Sequence, residues 1–267
     1  MPAMDTVHQA TFFLSAGEAD AEARLSLTSL TAKIIETATE HANLLGIGNP
    51  AMQHLHAGWI LSRITIGMDN YPEINSRYII KTWILDFNRH FSTRCFSIED
   101  SDGKIFGYAR SIWLVLNYEN HTNFGTSHLA LPPEAIIGKD VPLNRQEKHI
   151  TIIPENATSP TNKKILRANK PSCDYQFKYC DLDYYRHVNT VRYVALLMNQ
   201  FSLKEHDTTM IERLELSFLH EASYGMQTRL LRFDNPENEL HSTFQLTDLS
   251  CQEPLLFARI NRKPIVI

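Results

Sequence analysis

The sequence has 267 residues, of which 43% are hydrophobic and 21% are charged, so it is long enough to bury one large core or two small ones. A formal net charge of -4 argues against a nucleic-acid partner, because such partners usually require a strongly basic face. The four cysteines contain no CxxC pair, so neither a zinc site nor a disulfide framework is expected.

The N-terminal residues do not look like a targeting segment. They lack the basic and apolar regions of a signal peptide and the arginines of a transit peptide. No apolar run approaches the roughly 18 residues that cross a bilayer. His54 and His56 are one residue apart, but the spacing places no third ligand, so we expect no metal or other cofactor. These features predict a cytoplasmic protein without a membrane span.

The first half of the chain predicts one long helix followed by strands. Apolar residues recur at helical spacing over residues 28–45, where Ser26 or Thr28 can cap the start and Gly46 suits the end. Stretches rich in β-branched and aromatic residues follow and predict four strands. These strands cover residues 59–68, 78–87, 94–100 and 106–118.

The second half repeats this order. A strand over residues 174–180 precedes a polar turn, and apolar residues then trace a helical face from Val191 to Phe201. Four more strands are predicted over residues 213–219, 227–233, 241–248 and 255–262. The repeated order favours a duplicated unit, and one helix followed by antiparallel strands is typical of the α+β class, with a sheet wrapped around the helix.

A proline-rich polar stretch separates the two halves. We therefore predict a first domain over residues 1–125, a linker over residues 126–170 and a second domain over residues 171–267. Long loops without structure are uncommon in compact proteins, so parts of the linker should lie ordered on the surface.

Residues 181–193, with the sequence DLDYYRHVNTVRY, are the most informative in the chain. They resemble the Asp-x-Asp-x-Asn-x-His-Val-Asn-Asn signature of acyl-acyl carrier protein (acyl-ACP) thioesterases. Residues 218–222 (FLHEA) look like the second motif of that family, an acidic residue closing a strand, and residues 61–83 and 109–113 match further strands. The resemblance covers most of residues 8–267 outside the linker. It implies tandem hot-dog domains and the hydrolysis of fatty acyl-ACP thioesters to free fatty acids, with the catalytic residues at the second domain's helix entrance.

Thioester hydrolysis requires an activated water or a nucleophile, and a donor that polarises the carbonyl oxygen. Asp183 is our candidate base or nucleophile, His187 would orient the water or donate to the leaving thiolate, and Glu221 would supply a second carboxylate. Backbone N–H groups near residues 188–190 would polarise the carbonyl. Each residue also has a structural reading: an Asx turn or helix cap for Asp183, a satisfied structural histidine for His187 and a solvated strand end for Glu221. The sequence does not decide which carboxylate attacks.

Two departures from the family pattern affect this assignment. Tyr185 stands where the family usually has Asn, and Ala222 stands where plant members have Cys, so no cysteine nucleophile is expected there. We interpret the nearest thiol, Cys180, as a packing residue on the preceding strand. The corresponding stretch of the first half, residues 18–25, is acidic but lacks the histidine, so we expect the first domain to bind the acyl chain.

The expected partner is an acyl carrier protein carrying a fatty acyl chain. A modest basic cluster in the linker would suit an acidic carrier, although a solvated linker explains it equally well; it consists of Lys163, Lys164, Arg167 and Lys170. The alternatives are an acyl-CoA thioesterase and a non-catalytic acyl-binding hot-dog protein. The oligomeric state, monomer or homodimer, stays open.

Overall fold

The computed structural model describes residues 6–117, 122–157 and 165–265. The chain divides between Asn144 and Arg145 into two compact units. The domain limits that we drew at residues 125 and 170 stay a prediction, and Lys163 and Lys164 lie outside the described residues.

The first unit contains one long helix and five long strands. Its elements are β1 Val7–Phe13, α1 Leu27–Leu44, α2 Asn49–His54, β2 Ala57–Met68, β3 Arg77–Phe87, β4 Ser92–Asp100 and β5 Ile105–Asn117. The predicted long helix matches α1 to within one residue at each end, and the Ser26 side chain caps it by accepting a hydrogen bond from the Ser29 N–H. Hydrophobic spacing did not predict β1 or the short α2.

The five strands of the first unit form an antiparallel sheet in the order β1-β3-β4-β5-β2. The register places Thr82, Phe96, Ala109 and Ile66 side by side across four strands, and all four side chains are buried. The buried residues of α1 recur every three or four positions, so one stripe of the helix faces the core.

The second unit repeats this plan with a shorter helix. Its elements are β6 Thr151–Ile153, β7 Ile165–Arg167, β8 Cys173–Gln176, α3 Thr190–Met198, α4 Leu203–Thr208, β9 Thr209–Phe218, β10 Gln227–Asn235, β11 Asn238–Asp248 and β12 Pro254–Pro264. The long strands form an antiparallel sheet in the order β9-β12-β11-β10-β8. The order strand, helix, four strands therefore occurs twice, which confirms the α+β class.

The described parts of the predicted linker are ordered against the outer faces of the sheets. In the first unit the Trp83 indole N–H donates to the Lys139 carbonyl at 2.6 Å, and Val141 packs against Trp83 and Cys95. In the second unit the Ile152 N–H donates to the Gln245 Oε1 at 2.9 Å. Each segment satisfies polar groups of one unit, so it belongs to that unit's structure.

Within the described ranges, no helix has both the length and the apolar character that crossing a membrane would require.

Candidate functional site

The turn before α3 is closed by its own hydrogen bonds. The Asp183 N–H donates to the His187 carbonyl at 2.8 Å, and the Arg186 N–H donates to the Asp183 carbonyl at 3.0 Å. Arg186 takes a left-handed backbone conformation with φ 66°. The Asp183 Oδ1 accepts from the N–H groups of Tyr185 (2.9 Å) and His187 (3.1 Å), as in an Asx turn. Asp183 thus has the predicted structural role, while its Oδ2 carries no partner among the residues described.

The segment after β9 brings the second carboxylate to this turn. The Val188 N–H donates to the Ala222 carbonyl at 2.8 Å, and residues His187 and Ser223 form a β-bridge. Glu221, directly before Ala222, is thereby placed beside the imidazole. The His187 Nε2 lies 3.4 Å from the Glu221 Oε2, and the two side chains are 29% and 31% exposed. The turn and the strand end therefore bring Asp183, His187 and Glu221 to one side of the helix entrance.

Tyr193 is a further residue of this site that the sequence analysis did not single out. Its ring is buried in the first half of α3, edge-on to Phe177 and Phe218 at 5.6 and 5.4 Å between ring centroids. Burial raises the pKa of its hydroxyl, a hydrogen bond with the Ala222 backbone lowers it, and the Glu221 and Asp183 carboxylates raise it further; the net shift is upward. The hydroxyl therefore stays protonated within electrostatic reach of both acids. The sequence feature that could have indicated this role is the position of Tyr193, on the buried face of the helix that follows the motif.

Two of the backbone N–H groups that we expected to polarise the carbonyl are already used. The Val188 N–H bonds the Ala222 carbonyl, and the Asn189 N–H bonds the Asp181 carbonyl at 2.8 Å. For these two residues the prediction was wrong, because their N–H groups already donate to carbonyls that hold the entrance loop in place. Asn189 caps the helix, since its Oδ1 accepts from the Val191 N–H at 3.0 Å. The Thr190 N–H, at the first helical position, has no partner in the described part of the chain.

Two other side chains near the turn are those of Cys180 and Tyr185. Cys180 is exposed in a 3₁₀ turn, because β8 ends at Gln176, so the interpretation as a packing residue on that strand was wrong. Tyr185 is half-buried, and its ring is tilted by 38° against that of Tyr184 with the centroids 3.8 Å apart. A half-buried tyrosine therefore stands where the family usually has Asn.

A small cavity in the second unit lies elsewhere, under the segment of residues 146–150 on the outer face of the sheet. Its volume of about 10 Å³ suits a single water, not an acyl chain. In the described ranges, no three His, Cys, Asp or Glu side chains are grouped as metal ligands would be.

Comparison with known proteins identifies the family. The model of the acyl-ACP thioesterase N-terminal domain matches residues 5–124, and the model of its C-terminal domain matches residues 166–256. The chain belongs to the acyl-ACP thioesterase family. A palmitoyl-acyl carrier protein thioesterase of Gossypium hirsutum is 23% identical over 261 residues, which cover 93% of this chain and 60% of that protein. The chain thus spans somewhat more than half the length of this chloroplastic relative.

Solved structures of the acyl-ACP thioesterase family share the fold of this member. An acyl-ACP thioesterase of Bacteroides thetaiotaomicron superposes with a TM-score of 0.83 at 22% identity, covering 98% of this chain and all of the other. A 12:0-ACP thioesterase of Umbellularia californica superposes with a TM-score of 0.79 at 19% identity, covering 97% and 95% of the two chains. These similarities confirm the predicted fold, two hot-dog units each with a sheet wrapped around a helix.

The first unit of this acyl-ACP thioesterase family member contains a copy of the same entrance turn with other side chains. The Asp20 N–H donates to the Arg24 carbonyl at 2.8 Å, and the Arg24 N–H donates to the Asp20 Oδ1 at 2.9 Å. Ala23 has φ 60°, and Arg24 bridges Glu73 as His187 bridges Ser223. The two turns therefore align residue by residue, with Asp20 matching Asp183 and Arg24 matching His187.

The strand-end segments align in the same way. The Leu25 N–H donates to the Pro72 carbonyl at 2.9 Å, as the Val188 N–H donates to the Ala222 carbonyl. Tyr71, directly before Pro72, consequently stands where the second unit has Glu221. The first unit keeps the aspartate but has an arginine and a tyrosine at the positions of His187 and Glu221.

Proposed function

We propose that this protein hydrolyses fatty acyl-ACP thioesters and releases free fatty acids. The observation that carries the proposal is the imidazole of His187 held 3.4 Å from Glu221, at the end of a turn that also fixes Asp183. Two acids and a histidine at a helix entrance supply a base, a proton donor and a charge that orients the donor.

The proposed reaction uses water as the nucleophile. Asp183 acts as the base, because its Oδ2 carries no hydrogen bond from the described residues and can accept the proton of a bound water. The water oxygen attacks the thioester carbonyl carbon, and the carbon–sulfur bond breaks in the second step. His187, oriented by Glu221, donates a proton to the departing sulfur, and the proton held by Asp183 returns to the histidine. The products are a fatty acid and the free thiol of the carrier.

The Thr190 N–H is the proposed donor to the carbonyl oxygen during this reaction. It lies at the N-terminus of α3, where the helix dipole favours negative charge, and its neighbours Val188 and Asn189 hold the loop rigid through their own hydrogen bonds. A preorganised donor of this kind contributes about 3–4 kcal/mol to stabilising an oxyanion.

We assign acyl-chain binding to the first unit. Its helix entrance has Arg24 at the position of the histidine and Tyr71 at the position of Glu221, while α1 presents a long buried stripe that includes Leu30 and Ile34. The relatives bear the names of palmitoyl and 12:0 thioesterases, so the family includes enzymes for different chain lengths, and the length used by this protein has to be measured.

A thiol-release assay over acyl-ACPs of graded chain length tests the proposal. We expect thiol release for at least one chain length, and faster hydrolysis of that chain on ACP than on CoA. Equal rates on both carriers would favour an acyl-CoA thioesterase. Tight binding of acyl-ACP without any thiol release would contradict hydrolysis and favour an acyl-binding protein. Cytoplasmic location and the oligomeric state, monomer or homodimer, stay predictions from the sequence.

A further inference from the structure

Three tyrosines in the two segments that form the candidate site are unusually exposed. Tyr179, Tyr184 and Tyr224 are 82%, 70% and 68% exposed. Tyr179 opens the 3₁₀ turn before the site, Tyr184 follows Asp183, and Tyr224 lies three residues after Glu221. Large aromatic side chains left in solvent near one site are typical of surfaces that another molecule covers.

Three exposed cations lie in the same segments and on the first turns of α3. Lys178, Arg186 and Arg192 make no ion pair within the described residues. Five of the other arginines of this unit are paired with acids within 4 Å, namely Arg213, Arg229, Arg232, Arg259 and Arg262. We call the six exposed residues the collar: Lys178, Tyr179, Tyr184, Arg186, Arg192 and Tyr224.

The backbone of the entrance does not require these side chains. The first unit builds the same turn with small residues at five of the six positions, namely Ser15, Ala16, Ala21, Ala23 and Ser29. Even the left-handed position, occupied by Arg186 in the second unit, is an alanine there. The collar is therefore a property of the site with the histidine and two acids, and not of the turn.

We propose that the collar is the docking surface for an acidic carrier protein that presents its acyl thioester to Asp183, His187 and Glu221. This inference rests on the proposed function. Unpaired surface cations attract an acidic partner without first losing another ion pair, and this local charge matters in a chain with net charge -4. Tyrosines are enriched in protein interfaces, where they bury a large area at low entropic cost. Tyr184 and Arg186 belong to the hydrogen-bonded turn that holds Asp183 and His187, so a carrier docked on the collar brings its thioester arm beside the site.

Copying the first unit's residues into the collar tests the proposal without disturbing the turn. The variant combines Lys178→Ser, Tyr184→Ala, Arg186→Ala and Arg192→Ser, each of which the matching turn already tolerates. We expect kcat/KM for acyl-ACP to fall at least about 10-fold, mainly through a higher KM, because electrostatic steering and interface area are lost. Hydrolysis of the same acyl chain on a short pantetheine thioester should be unchanged, since this substrate does not reach the collar.

Charge reversal provides a second, independent measurement. Lys178→Glu should weaken hydrolysis of acyl-ACP, and the difference from the parent should shrink as salt is added. Lys204→Glu is the matched control: Lys204 is exposed on α4, beyond the opposite end of α3, and its reversal should leave KM for acyl-ACP unchanged.

These experiments distinguish failure of the proposed docking surface from failure of the proposed function. An unchanged KM for acyl-ACP in the four-residue variant overturns the docking surface, and so does an equal loss on both substrates. If the parent protein cleaves neither substrate, the proposed function fails, and binding of the carrier protein to the parent and the variant then tests the collar directly.

Discussion

The two helix entrances of this protein have the same backbone but different side chains. Asp20 and Asp183 close equivalent turns through equivalent hydrogen bonds, and Ala23 and Arg186 take the same left-handed conformation. At its entrance the second unit places the His187 imidazole beside the Glu221 carboxylate, whereas the first unit has Arg24 and Tyr71 at those positions. The fold therefore determines the backbone of the entrance loop, while a few side chains decide whether the loop has a catalytic arrangement.

Exchange of the imidazole for the residue found in the first unit should have the largest effect. His187→Arg copies Arg24, so the turn should remain folded, but the proton donor to the sulfur is lost. We expect kcat to fall about 10²-fold or more, the usual contribution of a general acid. Hydrolysis of acyl-ACP measures the loss. The reverse exchange, Arg24→His, should leave the rate unchanged, and a matching loss in both variants would contradict the division of roles.

Removal of one buried hydroxyl should have an intermediate effect. Tyr193→Phe keeps the ring contacts with Phe177 and Phe218 but removes the hydrogen bond that ties α3 to the Ala222 backbone. We expect kcat to fall about 5-fold with KM unchanged, because a hydrogen bond contributes about 1 kcal/mol and Glu221 would lose its fixed position.

Tyr78→Phe is the control for this exchange. It removes a buried hydroxyl of the first unit that has no hydrogen-bond partner among the described residues, and it should leave kcat unchanged while slightly raising Tm. Equal kcat values for Tyr193→Phe and the parent protein would show that the hydroxyl does not position the acid.

The buried helix stripes should differ in their effect on substrate choice. Ile34→Ala in α1 and Leu197→Ala in α3 remove matching, fully buried side chains, and each should cost about 2–5 kcal/mol of stability. We expect a several-fold shift in the acyl-chain-length profile for Ile34→Ala only. Rates on acyl-ACPs of graded length measure the shift, and identical profiles for both variants would argue against acyl binding in the first unit.

We expect a smaller, pH-dependent effect on stability at Glu205, which lies in α4 of the second unit. Burial alone would raise the pKa of Glu205, but hydrogen bonds from Ser202 and Arg232 outweigh it and lower the pKa from 4.5 to about 2. Because the folded pKa lies below the unfolded one, this stabilisation is complete above pH 4.5 and is lost as the pH falls towards about 2. Glu205→Gln should therefore lower Tm at pH 7 more than at pH 3. A loss of equal size at both pH values would contradict the assignment.

Much of the fold followed from hydrophobic spacing, because long regular elements repeat their pattern. The limits of α1 and the presence of all four strands after each helix were predicted in this way. β1 was missed because its side chains alternate between exposed and half-buried positions, so its pairing with β3 depends on tertiary contacts that a local pattern does not contain.

The candidate site was predictable only in part. The motif placed Asp183 and His187 on one turn, and the strand end placed Glu221 nearby. The sequence did not reveal that the Val188 and Asn189 N–H groups donate to the Ala222 and Asp181 carbonyls. The first of these hydrogen bonds joins segments that are distant in sequence, and the second closes a loop. The hydroxyl of Tyr193 was missed for the same reason, because its partner Ala222 is 29 residues away in the sequence.

One thiol-release assay on acyl-ACP, comparing Asp183→Asn with Asp20→Asn, tests most directly which helix entrance performs the chemistry. Both exchanges keep the size of the side chain and alter equivalent turns, so their structural costs should match. We expect Asp183→Asn to lower the rate about 10²-fold or more, while Asp20→Asn should hydrolyse at close to the parent rate. Near-parent hydrolysis by Asp183→Asn would show that the second entrance does not perform the chemistry.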